Sequence, residues 1–264
     1  MNAAAAEAIR PSAGDSPTAL LVRSLALGFH QAQIFFSRPA AGRGAWKRCV
    51  GAAGSLPGLW ALRNSIDSAD YDYRAYFSRI PLQRYWQRKR VEIVQSLAAP
   101  AGRALDVGCG SSVILGRFPG AIGVDASMKK LRFQKGLGNT AVMADMARLP
   151  FTDGSFDTVI CSQVIEHVPK SPRVFDELAR LVAPGGKLLL GTPDYSRLRW
   201  RIIEALYKRF NPRGYADEHI SHYDLAEVRR EAEARGLRLE CVRYIFGAEL
   251  ICLFRRPALA KQQA

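Results

Sequence analysis

The segment Ala104-Leu-Asp-Val-Gly-Cys-Gly-Ser-Ser112 places a short apolar run directly before a pair of glycines. The run predicts a β-strand that ends at Asp106, and Gly108 and Gly110 predict a tight turn into a helix that begins near Ser111. Glycines allow the backbone to approach a ligand closely, and a helix N-terminus presents unpaired N–H groups. The segment therefore predicts a ligand-binding loop at the end of a strand in an α/β sheet.

Similar apolar runs follow along the chain, most of them with turn or helix-start residues behind them. One helix is predicted over Ser171–Val182 from apolar residues on one face, and Pro184–Gly186 ends it. Strands that alternate with helices predict a doubly wound, mostly parallel sheet, whereas the last two runs meet at Phe246–Ala248 and must form an antiparallel hairpin. The seven predicted strands are Ala104–Val107, Ala121–Val124, Thr140–Met143, Phe156–Cys161, Lys187–Gly191, Leu237–Gly247 and Ala248–Phe254.

Acidic residues stand at the ends of three of these strands. Asp125 ends the second strand, 19 residues after Asp106, and Asp145 follows the third. An acidic residue after the second strand of such a sheet binds the ribose hydroxyls of an adenosine. The pattern therefore favours an adenosine-containing ligand.

These motifs, in this order, resemble the class I S-adenosylmethionine-dependent methyltransferases, and above all the group that includes quinone-biosynthesis enzymes. The resemblance implies a Rossmann-like domain over residues 76–264, with a basic helix and a lid insertion at 194–222. Residues 1–75 are then an N-terminal helical extension that lies on a membrane surface or acts as a lid. The matching elements are Leu105–Gly110 (LDVGCG), Gly123–Asp125 (GVD), Asp145–Asp157, Glu166–Val168 (EHV) and Leu181–Pro193 (LVAPGGKLLLGTP).

The resemblance implies S-adenosylmethionine as the cofactor and assigns its contacts to four strand ends. The expected residues are Asp106, Gly108, Cys109 and Gly110 at the methionine end, Asp125 and Ala126 beside the ribose and adenine, Asp145 and Met146 at the adenine, and Ser162 and Gln163 beside the transferable methyl group. Simpler roles stay open for three of them: Asp106 as a helix cap, Asp145 as a turn residue and Ser162 as a strand end.

Two positions depart from the family pattern. Ser112 stands where the glycine loop often has a third glycine, and serine is small enough to keep the turn. Gln163 stands where quinone O-methyltransferases carry an acidic residue that helps hold a metal. The sequence therefore predicts a site without a metal ion and weakens a catechol-type assignment.

A general base is needed only when the methyl acceptor carries a proton on its nucleophilic atom, as hydroxyl groups do. The candidates are His167 after the fourth strand, and His219 and His222 in the polar stretch where family members place a substrate lid. A packing role for His167 and a surface-loop or helix-cap role for the other two remain alternatives. The cluster Asp217, Glu218, His219 and His222 has a spacing that matches no usual metal site.

The chain is strongly basic, with 38 Lys and Arg residues against 24 Asp and Glu residues and a formal charge of +14. Much of this charge flanks the expected acceptor site, at Gln83–Arg90 and Arg197–Arg213. Leu198, Ile202 and Leu206 share one face, which predicts a basic amphipathic helix of the kind that lies on anionic lipid. Thr18–Phe36 is a second such candidate, and a helix packed against the core is the alternative.

Other partners and compartments are less favoured. No RNA-binding module and no Asn/Asp-Pro-Pro-aromatic signature occur, so nucleic acid is disfavoured as a partner. The five cysteines form no CxxC pair, which favours a reducing compartment. No run of 18 apolar residues occurs, so we predict no spanning helix and a cytoplasmic location, peripheral on the inner face of the membrane.

The sequence thus predicts an enzyme that transfers the methyl group of S-adenosylmethionine to a small-molecule or lipid-linked acceptor. We expect transfer to oxygen, with release of S-adenosylhomocysteine. Two alternatives stay open: an RNA or protein methyltransferase that docks a macromolecule on its basic faces, and a module that binds the cofactor without catalysis. The oligomeric state is not predicted.

Overall fold

The computed structural model describes residues 68–210 and 219–258, and for residues 207–210 the helical backbone alone. The stretch Thr18–Phe36 and most of the predicted N-terminal extension lie outside the described residues, as do residues 211–218 of the predicted lid. The boundary expected between residues 75 and 76 falls inside the first described helix, Tyr71–Tyr76. The division into extension and domain therefore stays a prediction.

A single seven-stranded sheet forms the centre of the described part, in the order β3-β2-β1-β4-β5-β7-β6. Strands β1 to β5 pair in parallel, while β7 runs antiparallel to both β5 and β6. The predicted sheet and its C-terminal hairpin are confirmed. The strands are β1 Ala104–Val107, β2 Ile122–Asp125, β3 Thr140–Met143, β4 Phe156–Ser162, β5 Val182–Pro193, β6 Arg238–Ile245 and β7 Glu249–Arg255.

Six α-helices accompany the sheet in the described part of the chain, and local capping explains where two of them begin. The side chain of Ser171 accepts a hydrogen bond from Arg173 N, with Pro172 in the first helical position. Asp224 accepts from Glu227 N in the same way. The helices are α1 Tyr71–Tyr76, α2 Pro81–Ala98, α3 Met128–Gly136, α4 Pro172–Leu181, α5 Leu198–Phe210 and α6 Leu225–Glu233, with short 3₁₀ helices at Leu115–Arg117 and Ile165–His167.

The helices cover both faces of the sheet because successive strand residues point to opposite sides. In β5, Leu188 and Leu190 join the apolar cluster that contains Leu178 of α4. Leu189, between them, joins the cluster that contains Val94 of α2. All three leucines are almost fully buried. The sheet is therefore doubly wound, as expected.

The prediction of a helix that begins near Ser111 is wrong. Only the 3₁₀ helix Leu115–Arg117 lies between β1 and β2. The connection comprises the 14 residues 108–121. Its last residues include a turn at Pro119-Gly120, where Gly120 has φ 77°. After the glycines, Ser112 N donates to Cys109 O at 3.1 Å, so the chain continues through turns into the 3₁₀ helix instead of an α-helix.

Two contacts fix α2 against the C-terminal half of the sheet. Lys187 of β5 donates to the carbonyl oxygens of Ala98 at 3.1 Å and Ala99 at 2.9 Å, where a cation also suits the negative end of the helix dipole. Arg90 binds the buried Glu249 of β7 through two hydrogen bonds of 2.7 and 2.6 Å, and Trp86 Nε1 donates to the same carboxylate. Helix α2 is thereby held against the sheet, with Trp86 and Arg90 beside the start of β7 at the carboxyl edge of the parallel strands.

Candidate active site at the carboxyl edge of the sheet

The glycine loop after β1 is bent toward β2 by hydrogen bonds from its own amides. Gly108 N and Cys109 N both donate to the Val124 carbonyl, at 2.7 and 2.9 Å. Asp125 Oδ2 accepts from Gly110 N at 2.9 Å, and its other oxygen accepts from Ser127 N at 2.7 Å. The two strand ends named by the sequence motifs therefore form one structural unit.

A second clamp on this loop comes from α3. Gln134 is fully buried, and its Nε2 donates to the carbonyl oxygens of Gly110 at 3.1 Å and Ser112 at 2.8 Å. The Gln134 Oε1 accepts from Asn139 Nδ2 at 2.7 Å, which fixes the orientation of the amide. These bonds hold the loop in place although no α-helix follows it directly.

The pocket above the loop is lined by three carboxyl groups, those of Asp72, Asp106 and Asp125. Asp106 is 3% exposed, and its Oδ2 has no hydrogen-bond partner among the described residues. Burial, together with the nearby charges of Asp125 and Asp72, raises the pKa of the Asp106 carboxyl to about 8. Among the described residues, no salt bridge involves any of these three carboxylates. Such a pocket suits a ligand that carries positive charge.

The strand order places the remaining cofactor candidates in a row along this edge. From β3 to β4, the strand ends carry Asp145, Asp125, Asp106 and Ser162. Asp145 is exposed and accepts from Ala147 N at 2.8 Å, so it does occupy a turn. The Ser162 Oγ is buried without a hydrogen-bond partner. The two neighbouring candidates differ in burial, since Ala126 is exposed and Met146 is 8% exposed within the core.

The three candidate histidines come together in one aromatic cluster beyond β4 and β5. The rings of His167 and His219 lie 4.9 Å apart. Tyr195 contacts two of these histidines. Its hydroxyl lies 2.7 Å from His219 Nδ1, and its ring stacks on His222 with the ring centroids 4.0 Å apart. The indole of the buried Trp200 stacks on His219 at 5.9 Å. The three histidines therefore lie together, and their roles as candidate bases stay predictions.

Glu166 lies fully buried at the base of this cluster. It accepts from Thr192 Oγ1 at 3.1 Å. With its amide oriented to satisfy both neighbours, Gln163 donates to Glu166 Oε1 at 3.2 Å and accepts from Thr192 N at 3.2 Å. Gln163 also adopts φ 61° and donates its backbone N–H to Gly191 O at 2.8 Å. Burial raises the pKa of the Glu166 carboxyl to about 8.

The same cluster offers a set of metal-type ligands. One ligand atom each from Glu166, His167 and His219 lies within 4.8 Å of the other two. Two imidazoles and a carboxylate suit zinc and other transition metals. The spacing of Asp217, Glu218, His219 and His222 had disfavoured these four residues as a metal site. Asp217 and Glu218 lie outside the described residues. A site without a metal ion therefore stays a prediction.

Known proteins identify the family. The sequence profile of a methyltransferase domain matches residues 105–190. The ubiquinone biosynthesis O-methyltransferase of Xanthomonas oryzae is 33% identical over 171 residues, which are 58% of this chain and 70% of that protein. The chain belongs to the S-adenosylmethionine-dependent methyltransferases. A demethylmenaquinone methyltransferase from Bacillus cytotoxicus is 27% identical over 70% of this methyltransferase and 91% of its own length. For another curated relative, the match spans only 33% of that protein's own length.

Solved structures show the same fold. A methyltransferase from Thermotoga maritima, described as a possible histamine N-methyltransferase, has a TM-score of 0.53 and 17% identity. It covers 75% of this methyltransferase and 92% of its own chain. These values establish the Rossmann-like fold and leave the acceptor open.

The anionic pocket fits the cofactor of this family. S-adenosylmethionine carries an ammonium group and a sulfonium group, and the pocket offers three carboxylates and the unpartnered Asp106 Oδ2. In this methyltransferase, the contacts of Asp106 and the loop Gly108–Gly110 with the methionine end, and of Asp125 with the ribose, stay predictions. Ser162 Oγ is a further unpartnered polar atom at the next strand end.

Sequence reasoning missed four residues of this edge: Asp72, Gln134, Glu166 and Tyr195. Only Glu166 carried a signal, because it belongs to the EHV element that matches the family. Asp72 and Tyr195 reach the site from segments with no motif, and Gln134 looks like an ordinary polar residue of a surface helix. Contacts between distant segments, rather than local patterns, make these residues part of the site.

Proposed function

We propose that this methyltransferase methylates a hydroxyl oxygen of a small-molecule or lipid-linked acceptor, of the kind found in quinone precursors, and releases S-adenosylhomocysteine. The hydrogen-bonded series His219–Tyr195–Glu204 carries the proposal, because oxygen acceptors must lose a proton and this series can receive one. The name of the Xanthomonas oryzae relative refers to O-methylation in ubiquinone biosynthesis and supports this proposal. The name of the Bacillus cytotoxicus relative refers to demethylmenaquinone and supports a quinone-related acceptor without naming the methylated atom.

The proton path follows from the order of donors and acceptors. Burial raises the pKa of Tyr195, and Glu204 adds to the shift, so this hydroxyl keeps its proton. If His219 Nδ1 donates to the tyrosine oxygen, the tyrosine O–H donates to Glu204 Oε1 at 3.3 Å. This tautomer is assigned from the network. It leaves His219 Nε2 as the nitrogen that takes up the proton of the acceptor hydroxyl.

Positioning supplies the remaining catalysis. When bound, S-adenosylmethionine supplies an electrophilic methyl group that needs an aligned nucleophile. We propose that the half-buried Tyr195 borders the acceptor, with the buried Trp200 supporting its ring at 6.0 Å and with Gln163 and Glu166 beneath it. Holding the two reactants in line contributes several kcal/mol, up to about 7–11 kcal/mol in the best cases.

The acceptor class can be tested with S-adenosylmethionine labelled on its methyl group. We expect purified protein, incubated with an extract of its source cells, to transfer label into the organic-soluble fraction, from which mass spectrometry identifies the acceptor. Label in RNA or protein would contradict the proposal and make the basic faces a macromolecular docking surface. Cofactor binding without any transferred label would instead support a non-catalytic module.

An apolar and basic face beside the cluster supports presentation of the acceptor at a membrane. Leu198 and Ile202, one turn apart on α5, are 66% and 48% exposed. Arg199 and Arg201 are exposed on the same helix, and Arg199 contacts the Phe246 carbonyl in the β6–β7 turn at 3.4 Å. None of the helices in the described part of the chain has the length and apolarity to cross a bilayer. We therefore propose docking on the anionic, cytoplasmic face of a membrane.

Vesicle flotation tests this docking. We expect the full chain to float with vesicles that contain phosphatidylglycerol, to bind neutral phosphatidylcholine vesicles less, and to dissociate as salt rises. The double variant Leu198→Ser/Ile202→Ser is expected to lose most of this binding. Leu137→Ser, which changes a leucine of 45% exposure beside α3, is the matched control and should float like the wild type. Undiminished flotation of the double variant would contradict the proposal.

A further inference from the structure

Helix α1 brings a third carboxylate to the methionine end of the cofactor pocket. Asp72 Oδ2 accepts hydrogen bonds from Ser111 Oγ at 3.0 Å and from Ser111 N at 3.3 Å. The Asp72 N–H in turn donates to Ser111 Oγ at 2.9 Å. Ser111 is fully buried, so this reciprocal pair fastens α1 directly to the glycine loop.

The carboxylate of Asp72 lies over the loop rather than beside it. A methyl group added to Gly110 would lie 2.9 Å from Asp72 Oδ2. Gly110 is the last residue of the loop that the family uses at the methionine end. The absence of a side chain at this position therefore leaves the space that lets the carboxylate approach the loop backbone.

The electrostatic surroundings show that Asp72 and Asp106 act on the same space. Asp72 is one of the two neighbouring charges that raise the pKa of Asp106, after burial, and Asp125 is the other. Cys109 and Cys161 also face Asp106, and burial and neighbouring acids keep both thiols protonated. Lys130 is near enough to act on Cys109, yet forms no salt bridge with the carboxylates among the described residues. The pocket thus holds negative charge without a matching cation.

We propose that Asp72 is a further cofactor-binding residue, whose carboxylate holds the α-ammonium group of S-adenosylmethionine together with Asp106. The inference rests on the cofactor of the proposed function and is independent of the acceptor, so a failed acceptor assay does not affect it. An ammonium group donates up to three hydrogen bonds, and two neighbouring carboxylates can accept them. Helix α1 then forms part of the cofactor site as well as covering it.

Titration calorimetry with two ligands separates this role from simple docking of α1. S-adenosylhomocysteine has the amino-acid group, whereas 5′-methylthioadenosine has the same adenosine and thioether without it. We expect Asp72→Asn to weaken binding of the first ligand about ten- to a hundredfold and to leave binding of the second unchanged. Equal loss for both ligands, or no loss for either, would overturn the proposal.

Three further variants make the result specific. Asp70→Asn removes an equal charge two residues away, where Asp70 pairs with Arg74 at 3.1 Å, and should change neither affinity. Asp125→Ala removes the ribose contact and should weaken both ligands by well over a factor of ten. Ser111→Ala removes the hydroxyl that fastens α1 while keeping the carboxylate, so it should preserve the preference for the ligand with the amino acid.

The pH dependence of binding gives an independent readout. Because the ammonium group favours ionised Asp106, binding releases a proton below the raised pKa of about 8, and affinity for S-adenosylhomocysteine should rise as pH approaches that value. Removing the Asp72 charge lowers the pKa of Asp106, so the midpoint of this rise should move to lower pH in Asp72→Asn. An unmoved midpoint would contradict the proposal, whatever the affinity at a single pH.

Discussion

Replacing His219 with alanine is expected to lower kcat about 10²- to 10⁴-fold, the usual contribution of a positioned general base. The reason is the proposed relay, in which Nδ1 of His219 contacts the Tyr195 hydroxyl at 2.7 Å and the other ring nitrogen takes up the proton of the acceptor. The measurement is the rate of label transfer to the acceptor that the extract experiment identifies.

Two controls separate catalysis from structural support. Tyr195→Phe keeps the ring stacked on His222 and removes only the hydroxyl that orients the imidazole, so a smaller loss of about tenfold is expected. Affinity for S-adenosylhomocysteine should stay within about twofold in both variants, because neither residue belongs to the cofactor pocket. Full activity of His219→Ala, or a parallel loss of cofactor affinity, would remove His219 from the role of base.

Replacing Gly108 with alanine is expected to destabilise the fold and abolish tight cofactor binding together. Gly108 has φ 70°, a conformation that costs alanine about 1–2 kcal/mol. Its added methyl group would also lie 2.4 and 2.5 Å from the two γ-carbons of Val164, far inside van der Waals contact. Overpacking adds about 1–3 kcal/mol. Thermal unfolding and calorimetry with S-adenosylhomocysteine measure the two effects.

Gly120 provides a matched control for this substitution. It has φ 77°, yet a methyl group there would meet no atom within 4 Å. Gly120→Ala therefore carries the backbone cost alone, and the difference between the two variants isolates the clash with Val164. The double variant Gly108→Ala/Val164→Ala removes that clash and should recover part of the lost stability and binding. Equal melting temperatures for Gly108→Ala and Gly120→Ala would show that the Val164 contact is unimportant.

The strands could be predicted from sequence because their apolar runs and terminal residues are local signals. The run Ala104–Val107 is buried at every residue, and Asp125 stands at the strand end where the spacing placed it. The glycine loop was also recognised, but the helix after it was not formed. The error came from applying the usual strand–loop–helix pattern to a segment that the structure folds as turns and a 3₁₀ helix.

The site could be predicted only in part, because much of it is made by contacts between distant segments. Tyr195 and His219 are 24 positions apart, and Asp72 and Ser111 are 39 apart. No periodic pattern in the sequence of these segments indicates that the residues of each pair are in contact. The three histidines were found because histidine is rare in this chain, whereas Glu166 was read as part of a family motif rather than as the buried floor of the cluster.

The order in which the strands are synthesised has a consequence for how this protein folds. Strand β7 lies between β5 and β6, so a strand from near the end of the described chain fills an inner position of the sheet. Until β7 emerges, β5 has an open edge and Arg90 lacks the Glu249 carboxylate that it binds. Folding from the N-terminus during synthesis therefore stops at an incomplete sheet. Nascent chains should need protection from aggregation until the final hairpin closes.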